Sequence, residues 1–272
     1  MTFSIQGKTA IVTGAAHGVG LAIARHFLDQ GANVMFADMD EQRLCDELGA
    51  RKGDDGTVNA RAFAGDLREK LTIANLLSAT LDSFERVDIL VNACRQMVAS
   101  DPLDPDSDAV GILLEQNLMT ALRLSQTVAK RMIKQAENSE PDEQHAIGSI
   151  INLSSIAARR THPELLGYSV STAALDQMTR SLAVALAPYR IRVNGVSFGS
   201  VLSSSLMEAL KQNSDYRADI RDHTPMNRIA KPSEVAEAAQ FLASDAAAFM
   251  TGQIMTVDGG RTLLDPVTAP AH

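Results

Sequence analysis

Residues 9–20 read Thr9-Ala10-Ile11-Val12-Thr13-Gly14-Ala15-Ala16-His17-Gly18-Val19-Gly20. A short β-branched run leads into three glycines, and the apolar-periodic stretch Val19 to Gln30 follows; together they read as strand, tight turn and helix. Glycine lets the backbone turn sharply and lets another group approach with no Cβ in the way. The helix N-terminus then aims free amides at whatever lies before the turn, which favours an anion such as a pyrophosphate.

Working outward, the same alternation repeats along the chain. Strand-like runs fall at Thr9 to Val12, Asn33 to Ala37, Val58 to Ala64, Val87 to Asn92, Ser149 to Leu153, Ile191 to Val196 and Gln253 to Val257. Between them lie the amphipathic stretches Val19 to Gln30, Glu41 to Ala50, Leu71 to Phe84, Leu113 to Gln135, Tyr168 to Leu186 and Ser233 to Ala243. Near-continuous apolar strands alternating with helices imply an α/β fold: a mostly parallel, seven-stranded, doubly wound sheet with helices on both faces. The expectation is one domain over residues 1–272, with the acidic stretch Ala136 to His145 a surface excursion and the chain after Leu264 a terminal tail.

Composition narrows the function. With 45% hydrophobic and 21% charged residues the chain can bury a large core. A net charge of −8 with no basic cluster argues against nucleic acid as a partner. No apolar run reaches membrane-spanning length, and no leader-like segment precedes the first strand, so no membrane association is expected. The two cysteines, Cys45 and Cys94, suit a reducing compartment and lack metal-ligand spacing, so the expected location is cytoplasmic and no metal is expected.

An acid about 20 residues beyond the glycines completes a dinucleotide signature. Here it is Asp38, closing the second strand, where a carboxylate can accept ribose hydroxyls and repel an added 2′-phosphate, so NAD is the expected cofactor. A helix cap is the other reading of Asp38, although Asp40 serves that role equally well ahead of Glu41. His17 stands where a basic group could meet a 2′-phosphate.

Gly14, Gly18 and Gly20 follow the spacing G-x-x-x-G-x-G, and Ser155 and Tyr168 stand thirteen positions apart. With these features the chain resembles the short-chain dehydrogenase/reductase family, a Rossmann-type fold, over nearly its whole length. The resemblance implies that Asp66 and Leu67 contact adenine and that Asn117, Ser155, Tyr168 and Thr172 occupy the catalytic positions. Ser155 would polarise the substrate oxygen and Tyr168 would exchange its proton. Gly14, His17, Gly18, Val19, Gly20, Asp38, Met39, Asp66, Leu67, Asn92, Tyr168, Gly199, Val201 and Ser203 would hold the cofactor. Asn194 and Val257-Asp258-Gly259-Gly260 also fit.

The pattern breaks in three places. Thr172 stands four residues after Tyr168, where the family carries lysine, and its neutral hydroxyl supplies no charge to stabilise a tyrosinate. Val91-Asn92-Ala93-Cys94-Arg95 replaces the usual Asn-Asn-Ala-Gly and puts Arg95 at the glycine position. Phe198-Gly199-Ser200-Val201-Leu202-Ser203 replaces Pro-Gly-x-x-x-Thr. One expectation is an NAD-dependent oxidoreductase acting on a secondary alcohol or ketone, in which Thr172→Lys raises activity at neutral pH. The other is an NAD-binding pseudoenzyme or sensor without chemistry. A homo-oligomer, a tetramer as in relatives, is expected from the long helices with apolar or small residues on several faces.

Overall fold

The computed structural model describes residues 2–50, 59–137 and 146–265. Val58, most of the acidic excursion and the tail from residue 266 onward lie outside the described residues. The chain begins with β1 (Thr9–Thr13), α1 (Gly18–Asp29), β2 (Asn33–Asp38), α2 (Glu41–Gly49), β3 (Ala60–Ala64) and α3 (Lys70–Phe84). It continues with β4 (Ile89–Asn92), α4 (Val110–Leu114), a π-turn at Glu115–Met119, α5 (Thr120–Ala136), β5 (Gly148–Ser155) and α6 (Leu166–Leu186). β6 (Ile191–Phe198), α7 (Ser204–Gln212), α8 (Asp215–Asp222), α9 (Pro232–Ala243) and β7 (Ile254–Val257) complete it.

All seven strands are parallel, in the order β3-β2-β1-β4-β5-β6-β7. The central strands feed side chains alternately to two cores, as their period of two requires, while edge strand β3 is mostly exposed. Ala10 and Val12 of β1 join Ile23 and Phe27 of α1 and Val235, Ala239 and Leu242 of α9 on one face. Ile11 joins Ile73 and Leu76 of α3, Leu124 and Val128 of α5 and Ala183 of α6 on the other. This double burial is why the strands read as continuous apolar runs.

After β3 the chain returns to the opposite side of β1, so strand order reverses between β1 and β4. A doubly wound sheet opens its ligand crevice there, at the carboxyl ends of the strands. β5 and β6 run further than the sequence suggested, each to eight residues, which sets Ser155 and Phe198 on strand ends instead of in loops. The expected helix at Leu113 to Gln135 begins earlier, at Val110, and its register slips at the π-turn. α7 and α8 were not anticipated: both are short, and α8 buries no residue.

Candidate active site

The crevice is a cavity of about 710 Å³, a size suited to a small organic ligand. Gly14, Gly18, Val19 and Gly20 line it at the start of α1. Gly14 has φ +64°, and a Cβ there would stand 2.8 Å from the Ala93 carbonyl oxygen just past β4. At Gly20 a Cβ would stand 2.1 Å from the Gly14 carbonyl oxygen. Neither place has room for a side chain. No side chain caps α1 and no acid occupies its first turn, so its leading amides are open to an anion. A backbone cradle of this kind fits a dinucleotide pyrophosphate.

Asp38 ties the glycine turn to the end of β2. Its Oδ2 accepts from the Ala16 amide at 3.1 Å, and its Oδ1 accepts from the amides of Met39 at 2.8 Å and Asp40 at 3.2 Å. A carboxylate offers about four acceptor positions, so one remains for a ribose hydroxyl. The cap of α2 is Asp40, which accepts from the Arg43 amide at 3.1 Å. Asp40 also takes His17 Nε2 at 2.8 Å, and the Arg43 amide and His17 together hold its carboxyl below the usual range. His17, Met39, Asp66 and Leu67 line the same cavity. Arg68 grips Asp66 through Nε and Nη2, at 2.6 Å for the shortest contact, and this pairing lowers the Asp66 carboxyl.

Asn92 closes β4 and turns into the protein. Its Nδ2 donates to Asn152 Oδ1 at 2.8 Å and Ser125 Oγ at 3.1 Å, and the cavity wall here is Ala93, Cys94 and Arg95. Gln116 donates to Cys94 Sγ at 3.1 Å, yet burial pushes that thiol up to about 11. Across the mouth, Ser203 caps α7 by accepting from the Leu206 amide at 3.3 Å and reaches the cavity beside Ser204 and Glu208. Gly199 and Val201 lie behind it: Gly199 donates to the Val257 carbonyl at 3.2 Å and Val201 bridges Ala230.

Tyr168, in the first turn of α6, is buried against Ala109, Leu113 and Ala157. Its hydroxyl oxygen accepts a 2.6 Å hydrogen bond from Arg95 Nη1. The Arg95 guanidinium lies over the Phe198 ring, 4.2 Å from its centroid. Ser155 Oγ accepts from the Ala157 amide at 3.1 Å, which leaves its single proton to donate. Thr172 is buried and turned onto its own helix, donating to the carbonyls of Tyr168 at 2.9 Å and Ser169 at 3.1 Å. Asn117 sits in the π-turn, a distortion that often marks a functional position. It accepts from the Gln96 amide at 2.8 Å and donates to the Gln96 carbonyl at 2.9 Å and Ser171 Oγ at 3.1 Å.

The glycine turn, His17, Asp38, Met39, Asp66, Leu67 and Ser203 thus share one cavity, while Asn92, Asn117, Ser155, Tyr168, Thr172, Gly199 and Val201 do not line it; Tyr168 meets its wall through Arg95. Sequence reasoning passed over Arg68, Gln116 and Glu208. Arg68 follows Asp66 by two residues in the turn after a strand, a signal that was available. Arg95 was noticed only as a bulky replacement for glycine.

The family described as enoyl-(acyl carrier protein) reductase matches residues 14–262. L-fucose dehydrogenase of Rattus norvegicus is 33% identical over 262 residues, covering 95% of this chain and 90% of that protein. A gluconate 5-dehydrogenase from Burkholderia cenocepacia J2315, solved in complex with NADP and tartrate, superposes with a TM-score of 0.84 at 28% identity, covering 97% and 98% of the two chains. A 7α-hydroxysteroid dehydrogenase complexed with NADH and 7-oxo glycochenodeoxycholic acid gives 0.82 at 31% identity, covering 95% and 96%. With this match, this all-parallel sheet and these dehydrogenase relatives, the chain belongs to the short-chain dehydrogenase/reductase family and is an oxidoreductase.

Proposed function

We propose that this oxidoreductase uses NAD to interconvert a secondary alcohol and its ketone, with Tyr168 as acid and base. The observation that carries the reading is the Tyr168 hydroxyl, whose oxygen accepts from Arg95, a residue that lines the cavity, and whose own proton is left free to exchange. In the oxidising direction the alcohol proton passes to the Tyr168 oxygen, which has first released its own, and the carbon-bound hydrogen leaves with its electron pair. Bound nicotinamide supplies the hydride acceptor, or the donor in reverse. Ser155, with its proton free, hydrogen-bonds the substrate oxygen where charge develops.

Gly14, Gly18, Val19 and Gly20 would hold the pyrophosphate, and Asp66 and Leu67 would flank the adenine. The open position on Asp38 supports NAD over NADP, since its charge would face a 2′-phosphate while Arg68 is engaged by Asp66 and His17 by Asp40. Asn92, Gly199 and Val201 would support the nicotinamide end from behind the wall, with Ser203 reaching it directly. The sensor reading finds no support in relatives named as dehydrogenases.

A spectrophotometric panel of L-fucose, gluconate and a 7α-hydroxysteroid with NAD and with NADP tests this. Turnover should favour NAD, and Tyr168→Phe should cut kcat/KM by about a hundredfold or more, with NADH fluorescence titration unchanged within about threefold. Full activity of Tyr168→Phe would sink the assignment. We further propose a homo-oligomer, a tetramer, supported by exposed Val170 and Val184 on α6 and exposed Phe249. A monomer by light scattering at micromolar concentration would contradict it.

A further inference from the structure

Of the three positions at which the sequence leaves the family pattern, Arg95 bonds the Tyr168 hydroxyl, Phe198 holds the Arg95 guanidinium, and Thr172 turns away onto its own helix. We infer that Arg95 supplies the positive charge that stabilises the Tyr168 oxygen once it has released its proton, a function Thr172 cannot perform. The inference rests on Tyr168 being the acid and base of the proposed reaction.

The 2.6 Å bond has only one possible direction, because a guanidinium donates and never accepts. The Tyr168 proton is therefore left to point elsewhere, and no other described residue bonds that oxygen. Arg68, Arg123 and Arg228 are each paired with a carboxylate. Arg95 pairs with no carboxylate among the described residues, so no counter-charge competes with the hydroxyl for it. Tyr168 is 4% exposed, and in such surroundings a charged hydrogen bond is stronger than in water.

Arg95 is exposed, but its neighbours on the chain and the face of its guanidinium are held. The amides of Ala93 and Cys94 donate to Thr13 Oγ1 at 3.0 and 3.2 Å, while Asn117 clamps both backbone groups of Gln96. Phe198, buried at the end of β6, holds the guanidinium face, a contact that suits arginine's planar cation. A donor fixed before the reaction needs no reorganisation when charge develops. During proton exchange Arg95 keeps all its protons; only the Tyr168 O–H bond breaks and re-forms.

Other charged groups flank the site without reaching the oxygen. Asp108 accepts from the Val110 amide ahead of α4, and Glu115 is tied to Arg123. Arg159 and Glu164 lie between β5 and α6, and Asp176, further along α6, faces Ser154, Arg180 and Arg159.

The chain has three tyrosines and no tryptophan, so ultraviolet titration of tyrosinate reads the effect with no substrate or cofactor. Subtracting Tyr168→Phe isolates the Tyr168 signal. In Arg95→Gln that signal should rise later than in wild type, with Arg95→Lys between them. Identical titrations in wild type and Arg95→Gln would overturn the inference. With NAD and a panel substrate, Arg95→Gln should lower kcat at pH 7 by about tenfold or more and recover as pH rises. NADH affinity should fall by less than kcat does, and Thr172→Lys added to Arg95→Gln should restore much of the rate. Higher activity or tighter NADH binding in Arg95→Gln would mark Arg95 as an obstruction and overturn the inference. If wild type turns over no panel alcohol, the dehydrogenase reading is what fails, and the titration still decides whether the Arg95 charge reaches Tyr168.

Discussion

At the β1–α1–β2 end of the cavity the work falls to backbone: open amides at the start of α1, two glycines packed against carbonyls, and one carboxylate that accepts three main-chain amides. At the Arg95–Tyr168 end it falls to side chains drawn from β4, the π-turn, α6 and β6. A backbone site tolerates few substitutions, because what it needs is the absence of a side chain. A side-chain site can lose a charge at one position and regain it at another, provided both reach the same atom. The two ends should therefore respond differently to mutation.

The largest effect is expected at the backbone end. In Gly20→Ala the new Cβ would stand 2.1 Å from the Gly14 carbonyl oxygen and 2.8 Å from its carbon, both main-chain atoms that move only with the turn. NADH affinity should fall by about a hundredfold, and urea unfolding should show about 1–3 kcal/mol of lost stability from overpacking. Gly18→Ala is the control: the nearest atom is Ser203 Cβ at 3.7 Å, so it meets only the strain of its φ of +55°. Equal losses in the two variants would break the claim that close backbone approach governs this end.

Cys94 lies at the seam between the ends and gives the next effect. Burial, reinforced by the charge of Asp38, raises its thiol from an ordinary 9.0 to about 11. Below pH 9 its reactive thiolate is therefore about a hundredfold scarcer than an ordinary thiol's. Iodoacetamide at pH 8 should label exposed Cys45 long before Cys94 by peptide mass spectrometry, and Cys94 labelling should rise about tenfold per pH unit until near 11. Fast labelling of Cys94 at pH 8 would mean that the seam is open to water.

Asp38→Ala probes the one side chain on which the backbone end depends. Without its charge, a preference for NADH over NADPH of about tenfold or more should shrink to about threefold in paired fluorescence titrations. The Ala16 amide also loses its acceptor, which should cost about 1 kcal/mol in urea unfolding. An unchanged preference would place cofactor discrimination elsewhere.

The contrast also explains what the sequence made legible. The cradle is local: Gly14, Gly18 and Gly20 lie within one strand, turn and helix, and Asp38 ends the next strand, so spacing alone points to them. The sheet was equally accessible, because the apolar runs of its central strands record burial on two faces. The π-turn at Glu115–Met119 left no trace, since a one-residue register slip barely alters a helical pattern. α8 was missed because its eight residues, with Tyr216, Ala218 and Ile220 among charged neighbours, are too few and too polar to stand out as a helical stretch. Arg95 and Tyr168 are 73 positions apart, and no periodicity links a residue after β4 to one on α6. A lysine at the expected spacing can be found by counting, whereas a cation that arrives from another element requires coordinates.

The smallest effect is expected at Thr172, the position that looks most damaging in the sequence. Its hydroxyl donates to the carbonyls of Tyr168 and Ser169 on its own helix and bonds neither the tyrosine oxygen nor any group lining the cavity. Both carbonyls belong to helical turns and keep their main-chain partners when that hydroxyl is lost, so Thr172→Val should unfold in urea within about 1 kcal/mol of wild type. Dehydrogenase activity should stay within about threefold of wild type across the pH range, where Arg95→Gln shifts the profile. Thr172→Lys in the wild-type background should likewise gain little, because a cation already occupies the Tyr168 oxygen, and this replaces the expectation from sequence that lysine would help. If Thr172→Val instead loses activity as steeply as Arg95→Gln, the threonine takes part in the chemistry and the division between the two ends falls.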